Sequence, residues 1–125
     1  YKSVFAFDKD EPVWKAKAAL PYPLSAACGM SKQNELLVFS GDKGETFHQV
    51  EQLIAEISRE KDPEKKEELN KIKAVKQSTH PGFSRSVLKY DFVEDRWNTI
   101  GTSMPYGTVT TNAVWFENEI IIAGS

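Results

Sequence analysis

Four side chains in this sequence stand where they could meet a small polar ligand: Asp42, Glu45, His80 and Arg85. Asp42 and Glu45 lie on the stretch leaving Gly41, and carboxylates accept hydrogen bonds from sugar hydroxyls. His80 sits between a charged segment and an apolar run, where an imidazole could line a pocket or share a proton with a substrate. Arg85 carries the planar fork that grips a carboxylate with two bonds. Each also has a plainer account. Glu45 complements a helix macrodipole, His80 bonds to loop backbone, and Arg85 is solvated or paired at a strand edge. His48 reads as a helix-surface residue. Cys28 has no histidine near it in sequence, and it reads as a small buried filler that cannot form an intrachain disulfide. Trp14, Trp97 and Trp115 could stack against a sugar, with Trp115 the one expected to be exposed. Two histidines and one cysteine make a zinc site improbable. There is no phosphate loop, Ser/His/Asp constellation or nucleotide fingerprint, so no metal or cofactor is expected.

The elements that must position these residues follow from composition. The 125 residues are 40% apolar and 11% aromatic, with a net charge of −2. That excludes a disordered, collagenous or disulfide-scaffold chain. No run approaches the roughly 20 apolar residues of a membrane helix. The balanced charge gives no reason to expect nucleic acid or an anionic membrane as partner. The chain opens at Tyr1 with no initiator Met and no signal-like segment, which suggests a processed or excised piece.

Charge is concentrated in one place. Residues 45–78 hold 15 charged side chains and no glycine, while short aromatic and β-branched runs lie on either side. Phe47, Val50, Leu53, Ile54 and Ile57 form an apolar stripe at helical spacing, and Thr46 with Gln49 fits a capping box. Asp62-Pro63 supplies a second helix start, and Leu69, Ile72 and Val75 a thinner stripe. The pattern predicts a helical hairpin, roughly 47–61 and 63–78, with a solvated charged face. The flanking segments, 1–44 and 79–125, read as β.

Those flanks repeat. Ser3-Val4-Phe5-Ala6-Phe7-Asp8 matches Ser86-Val87-Leu88-Lys89-Tyr90-Asp91 at an offset of 83, and Trp14 matches Trp97. Leu20-Pro21-Tyr22 matches Met104-Pro105-Tyr106, and Asn34-Glu35-Leu36-Leu37-Val38 matches Asn118-Glu119-Ile120-Ile121-Ile122, at 84. With the insertion removed, the period is about 50 residues. Short strands with a recurring Gly and aromatic signature suit the blades of a β-propeller. In that setting Trp14 and Trp97 occupy one packing slot.

Glu35-Leu36-Leu37-Val38-Phe39-Ser40-Gly41, then Val87-Leu88-Lys89-Tyr90-Asp91 and Trp97, resemble a kelch repeat. Each copy keeps one glycine of the usual pair (Ser40-Gly41, Gly124-Ser125). With the charged insertion, His80-Pro81-Gly82-Phe83-Ser84-Arg85, Val109-Thr110-Thr111-Asn112-Ala113 and the Ile120 run, the chain resembles the bacterial N-acetylneuraminate epimerases. These are the cyclically permuted mutarotases of the kelch superfamily. The resemblance implies a mainly β fold. Residues 1–125 would form about two blades of an incomplete kelch-type propeller with a helical hairpin at 45–78.

It further implies a periplasmic enzyme of carbohydrate metabolism that interconverts the α and β anomers of sialic acid. The family's acid/base glutamate and carboxylate-binding arginine follow the strand that here ends at Ser125, so no catalytic residue is assigned and the chain alone is expected to be inactive. Expected partners are sialic acid or a related sugar acid, and either the rest of the propeller or another copy of the chain. An alternative reading is a non-catalytic kelch module that binds glycan or protein through its rim loops. A third makes the hairpin an assembly surface, because its Phe47/Val50/Ile57 stripe needs cover.

Overall fold

The computed structural model describes residues 1–101 and 103–124; Ser125 of the second Gly-Ser pair lies outside the described residues. The elements run β1 (Val4–Phe7), β2 (Trp14–Lys17), β3 (Cys28–Lys32), β4 (Glu35–Phe39), α1 (Glu45–Arg59), α2 (Pro63–Ser78), β5 (Val87–Asp91), β6 (Arg96–Thr99), β7 (Ala113–Phe116) and β8 (Glu119–Ile122). Strands β3-β4-β5-β6 form one antiparallel four-stranded sheet, and β1-β2 and β7-β8 are separate ribbons. The fold is mainly β, with open sheets amounting to about two kelch-type blades and a helical hairpin inserted between β4 and β5. Two compact units result: Tyr1–Lys43 with Phe83–Ser125, and Gly44–Gly82.

In the helical unit α1 begins two residues before its expected start. Gly44 adopts φ 82° and its carbonyl accepts the His48 N–H at 2.9 Å, so Thr46 lies inside the first turn and caps nothing. The second start is as expected: the Asp62 carboxylate accepts the Glu64 N–H at 3.0 Å, with Pro63 in the first turn. The two helices pack on each other, yet no residue of either is fully buried. Phe47 and Ile54 remain exposed.

The internal repeat is written into the backbone of the β unit. Phe7 pairs across strands with Trp14, and Tyr90 with Trp97, with ring centroids 5.1 and 5.0 Å apart. Asp8 and Asp91 each turn the chain by accepting a backbone N–H two residues on, both at 2.9 Å. Ala26 and Thr110 share a left-handed φ (55° and 53°), as do Gln33 and Glu117 (both 55°). The two tryptophans nevertheless differ. Trp97 is half-buried and donates its indole N–H to the Ala18 carbonyl at 2.9 Å. Trp14 is 67% exposed, because its ribbon pairs with no further strand among the described residues. One slot is packed and the other is open.

The core lies in the complete sheet. Leu37 and Phe39 on β4, Val87, Leu88 and Tyr90 on β5, and Cys28 on β3 are buried. Met30, Ile100, Met104, Ile120 and Ile122 pack partly buried against Cys28, Leu37, Phe39 and Val87. Burial raises the Cys28 thiol pKa, which suits a filler and not a nucleophile.

Where β4 ends, Ser40 and Gly41 tie three segments together. Ser40 is 1% exposed at φ 61°. Its Oγ accepts the Thr108 N–H at 2.5 Å and lies 2.6 and 2.7 Å from the Ser84 and Thr108 carbonyls, to which its single proton can donate. The Gly41 N–H donates to Thr108 O at 3.1 Å, and Gly41 O accepts the Ser84 N–H at 2.9 Å. A Cβ on Gly41 would come within 2.8 Å of the Ala27 Cβ, and its φ of 91° already favours glycine. Gly107 is required sterically, since a Cβ there would overlap the Phe83 carbonyl.

Asp95 makes a second tie. Its Oδ1 accepts the Ala18 N–H at 2.8 Å and the Tyr90 hydroxyl at 2.6 Å. The Ala18 bond first, then the Tyr90 bond, hold the Asp95 carboxyl below its usual range. The same carboxylate, with burial, pushes the Tyr90 phenol up to about 12.

Two outcomes follow from these ties. Ser40→Ala strands the buried Thr108 N–H and keeps a Cβ in left-handed backbone. Urea denaturation is expected to show a loss of about 1–3 kcal/mol. Ser40→Gly recovers part of that, by about 1 kcal/mol, because it relieves the left-handed strain. Equal losses for the two would remove the backbone share of the account. Asp95 stabilises the fold above the unfolded carboxylate value near 3.9, and that contribution fades as pH falls through its lowered folded value. Tyr90 contributes fully below the unfolded phenol value near 10, and its share is lost as pH rises through about 12. Asp95→Asn should flatten the acid limb and move the phenolate absorbance transition of Tyr90 back towards 10.

Candidate functional site

The four sequence candidates fall on both units. Asp42 and Arg85 belong to the β unit; Glu45 and His80 belong to the helical unit. Asp42 is half-buried and its backbone forms an isolated bridge to Ser25, with reciprocal N–H···O bonds of 2.9 Å. This bridge fixes the base of the loop that leaves Gly41. Glu45 is exposed in the first turn of α1, where its charge complements the helix N-terminus.

His80 is exposed at the end of the insertion, and its Nδ1 accepts the Gly82 N–H at 2.9 Å. That bond assigns the ring proton of a neutral imidazole to Nε2. Arg85 is exposed and clamps the link after β6. Its Nε donates to the Met104 carbonyl at 2.7 Å, and its own carbonyl accepts the Met104 N–H at 2.8 Å. One arm of the guanidinium fork thus positions Met104-Pro105-Tyr106, and Nη1 and Nη2 make no hydrogen bond among the described residues.

Trp115, expected to be the exposed platform, is half-buried on β7. The Lys32 ammonium lies 4.2 Å from its ring centroid, and its indole nitrogen is buried with no hydrogen bond among the described residues. One face of the ring is therefore already taken by a cation. Lys43 sits in the same way over Tyr22, also 4.2 Å from the centroid.

Sequence reasoning missed a cleft of about 300 Å³ lined by Phe39, Met104, Tyr106, Thr108, Ile120 and Ile122, among others. It is mostly apolar. Tyr106 is exposed at its edge, and Thr108 is 3% exposed with an Oγ1 that makes no hydrogen bond among the described residues. Its lining comes from β4, β8 and the Met104–Thr108 link, segments far apart in the chain. The matching Pro-Tyr pairs and the two apolar runs that reach Phe39 and Ile122 were the sequence signals near it. Among the described residues no group of three or more His, Cys, Asp and Glu side chains could hold a metal ion. No helix among the described residues is long and apolar enough to cross a membrane.

No family model matches the chain, and no curated protein matches it in sequence. In structure it is similar to the solved structure of YjhT, with a TM-score of 0.63 at 16% identity. The match covers 99% of this chain and 28% of that one. At that identity the likeness shows a common fold, and this chain spans little more than a quarter of the YjhT chain.

Proposed function

We propose that the chain is a two-blade portion of a sialic acid mutarotase, an isomerase that interconverts the α and β anomers of N-acetylneuraminate. The observation that carries this reading is the placement of the helical hairpin. It interrupts a complete kelch-type blade between β4 and β5, the arrangement whose sequence motifs resemble the epimerase group. The fold likeness to YjhT over 99% of the chain supports it. A periplasmic location belongs to the same proposal.

The reaction takes a proton from the anomeric hydroxyl as the bond from the anomeric carbon to the ring oxygen breaks, and delivers one to that oxygen. Reclosure on the other face reverses both transfers. An acid/base group and a cation near the substrate carboxylate are needed. In this reading Arg85, on the β unit, offers its guanidinium fork to the carboxylate, and Asp42 of the same unit lies on the loop that meets sugar hydroxyls. Glu45 and His80, on the helical unit, are proposed as ligand contacts in their own right. Their part is binding, and the proton transfers are made by residues of other blades.

Proton NMR of freshly released N-acetylneuraminate is the test. A propeller containing this chain is expected to accelerate anomer exchange, and the isolated chain is not. No acceleration by the complete propeller at micromolar concentration would sink the enzymatic reading. Arg85→Lys in that propeller keeps the charge but loses the fork. It should raise KM several-fold, with a smaller effect on kcat.

The cleft beside Thr108 favours a second reading, a non-catalytic module that binds glycan. If a sugar hydroxyl meets Thr108, Thr108→Val abolishes sialic-acid-induced amide shifts around Ile120 and Ile122. Removing an unpaired buried hydroxyl should leave stability unchanged or raise it by about 1 kcal/mol. Undiminished shifts in the variant would exclude the cleft.

A further inference from the structure

The two copies of the repeat build one turn alike and fill it differently. Asp8 Oδ1 accepts the Asp10 N–H between β1 and β2, and Asp91 Oδ1 accepts the Val93 N–H between β5 and β6, each at 2.9 Å. After the aspartate, the first copy has Lys9-Asp10 and the second has Phe92-Val93. Phe92 is 55% exposed and Val93 95%. The fold makes this turn without an apolar pair, so the turn does not account for leaving two such side chains in water.

Phe92 and Val93 border a groove of about 660 Å³, which Asn34, Glu35, Lys89 and Asn98 also line. Lys89 and Asn98 are cross-strand partners, and Glu35 lies two residues before Leu37, the partner of Lys89 on its other side. These three therefore share one face of the sheet. Lys89 Nζ and Glu35 Oε1 pair at 2.9 Å. The side-chain amides of Asn34 and Asn98 make no hydrogen bond among the described residues. Phe92 rests edge-on against Tyr90, with ring centroids 5.0 Å apart, which holds its ring at the border of the groove.

A following blade does not close this region. The complete blade follows β1-β2 and meets it at Ala18 through Asp95 and Trp97. The positions of β1-β2 that correspond to Lys89, Asp91 and Asn98 are Ala6, Asp8 and Lys15, and all three are exposed nonetheless.

An amide offers a carbonyl that accepts and an NH₂ that donates, which are the two needs of a hydroxyl group. Convergent polar groups beside an aromatic wall make a small-molecule site, and the volume falls in its usual range of roughly 300–1,000 Å³. Charge narrows the choice. Glu35 and Lys89 cancel, and Asp91 leaves the lining net negative, which disfavours a sugar acid. An extended peptide finds no free edge here, since β4 and β5 are paired on both sides. We infer that the groove binds a neutral sugar, its C–H face on Phe92 and its hydroxyls on Glu35 and the Asn34 and Asn98 amides. The groove lies at the end of β4 away from Ser40-Gly41, and the inference stands apart from the mutarotase reading.

The 125-residue chain tests this by NMR, with the methyl glycosides of glucose, galactose and mannose as probes and N-acetylneuraminate as the charged comparison. At least one glycoside at millimolar concentration should shift the Asn34 and Asn98 side-chain amides and the Lys89 and Val93 backbone amides, saturably. Phe92→Lys with Val93→Asp grafts the first copy's turn onto the second. It should leave the circular dichroism intact and weaken binding about tenfold. Asn98→Ala should weaken binding with melting unchanged, and Phe92→Tyr should retain it.

No shift by any of the three glycosides at tens of millimolar would overturn the inference. So would undiminished shifts in the grafted turn, or stronger shifts by N-acetylneuraminate. Line broadening at Phe92 and Val93 that grows with protein concentration and ignores added sugar would also overturn it, by showing a second copy seated on that pair.

Discussion

An interior strand needs a partner on each edge, and for β4 the second partner lies beyond the helical insertion. The β4-β5 ladder is the contact on which the rest depends. It places Leu37 and Phe39 beside Val87 and Leu88, and those residues make up most of the buried core. It also brings β6 into the same sheet, and with it Trp97 and Asp95, which hold Ala18 by both its N–H and its carbonyl. A ladder between strands so distant in sequence costs loop-closure entropy. The Ser40-Gly41 node offsets some of that cost where β4 stops, by adding bonds to Ser84, Ser86 and Thr108.

Much of this was legible in the sequence. The repeat of Val-Phe-Ala-Phe-Asp and Val-Leu-Lys-Tyr-Asp, with a tryptophan at the same distance from each, located four strands. Strand pairing is written in local pattern, and pattern survives translation from one copy to the next. Asp62-Pro63 marked its helix start because an N-cap acid and a first-turn proline act within a few residues. The start of α1 was misread as a capping box at Thr46. Gly44 can turn the chain through a left-handed φ, and that requires no side chain at all.

What depended on distant neighbours was not legible. Ser40 reads as a glycine missing from a pair, yet its hydroxyl meets partners 44 and 68 residues away. Trp14 and Trp97 are equivalent in sequence and unequal in exposure, since burial is decided by the segment laid over them. The candidate site suffers most from this. Arg85 was chosen as an anion ligand, and the fold spends its Nε on a backbone carbonyl. Thr108, whose buried hydroxyl makes no hydrogen bond among the described residues, has no local feature to mark it.

The base of the insertion has a consequence for how this fold can change over generations. Gly44 and Gly82 stand at its two ends with φ of 82° and 89°, and just inside the β unit Gly41 O meets Ser84 N–H at 2.9 Å. The stem is closed by backbone bonds that use no residue of the helices. A chain so fastened can exchange, lengthen or lose what lies between the glycines while its blade stays paired. The hairpin can thus be shortened or exchanged without removing a bond of the stem that carries it.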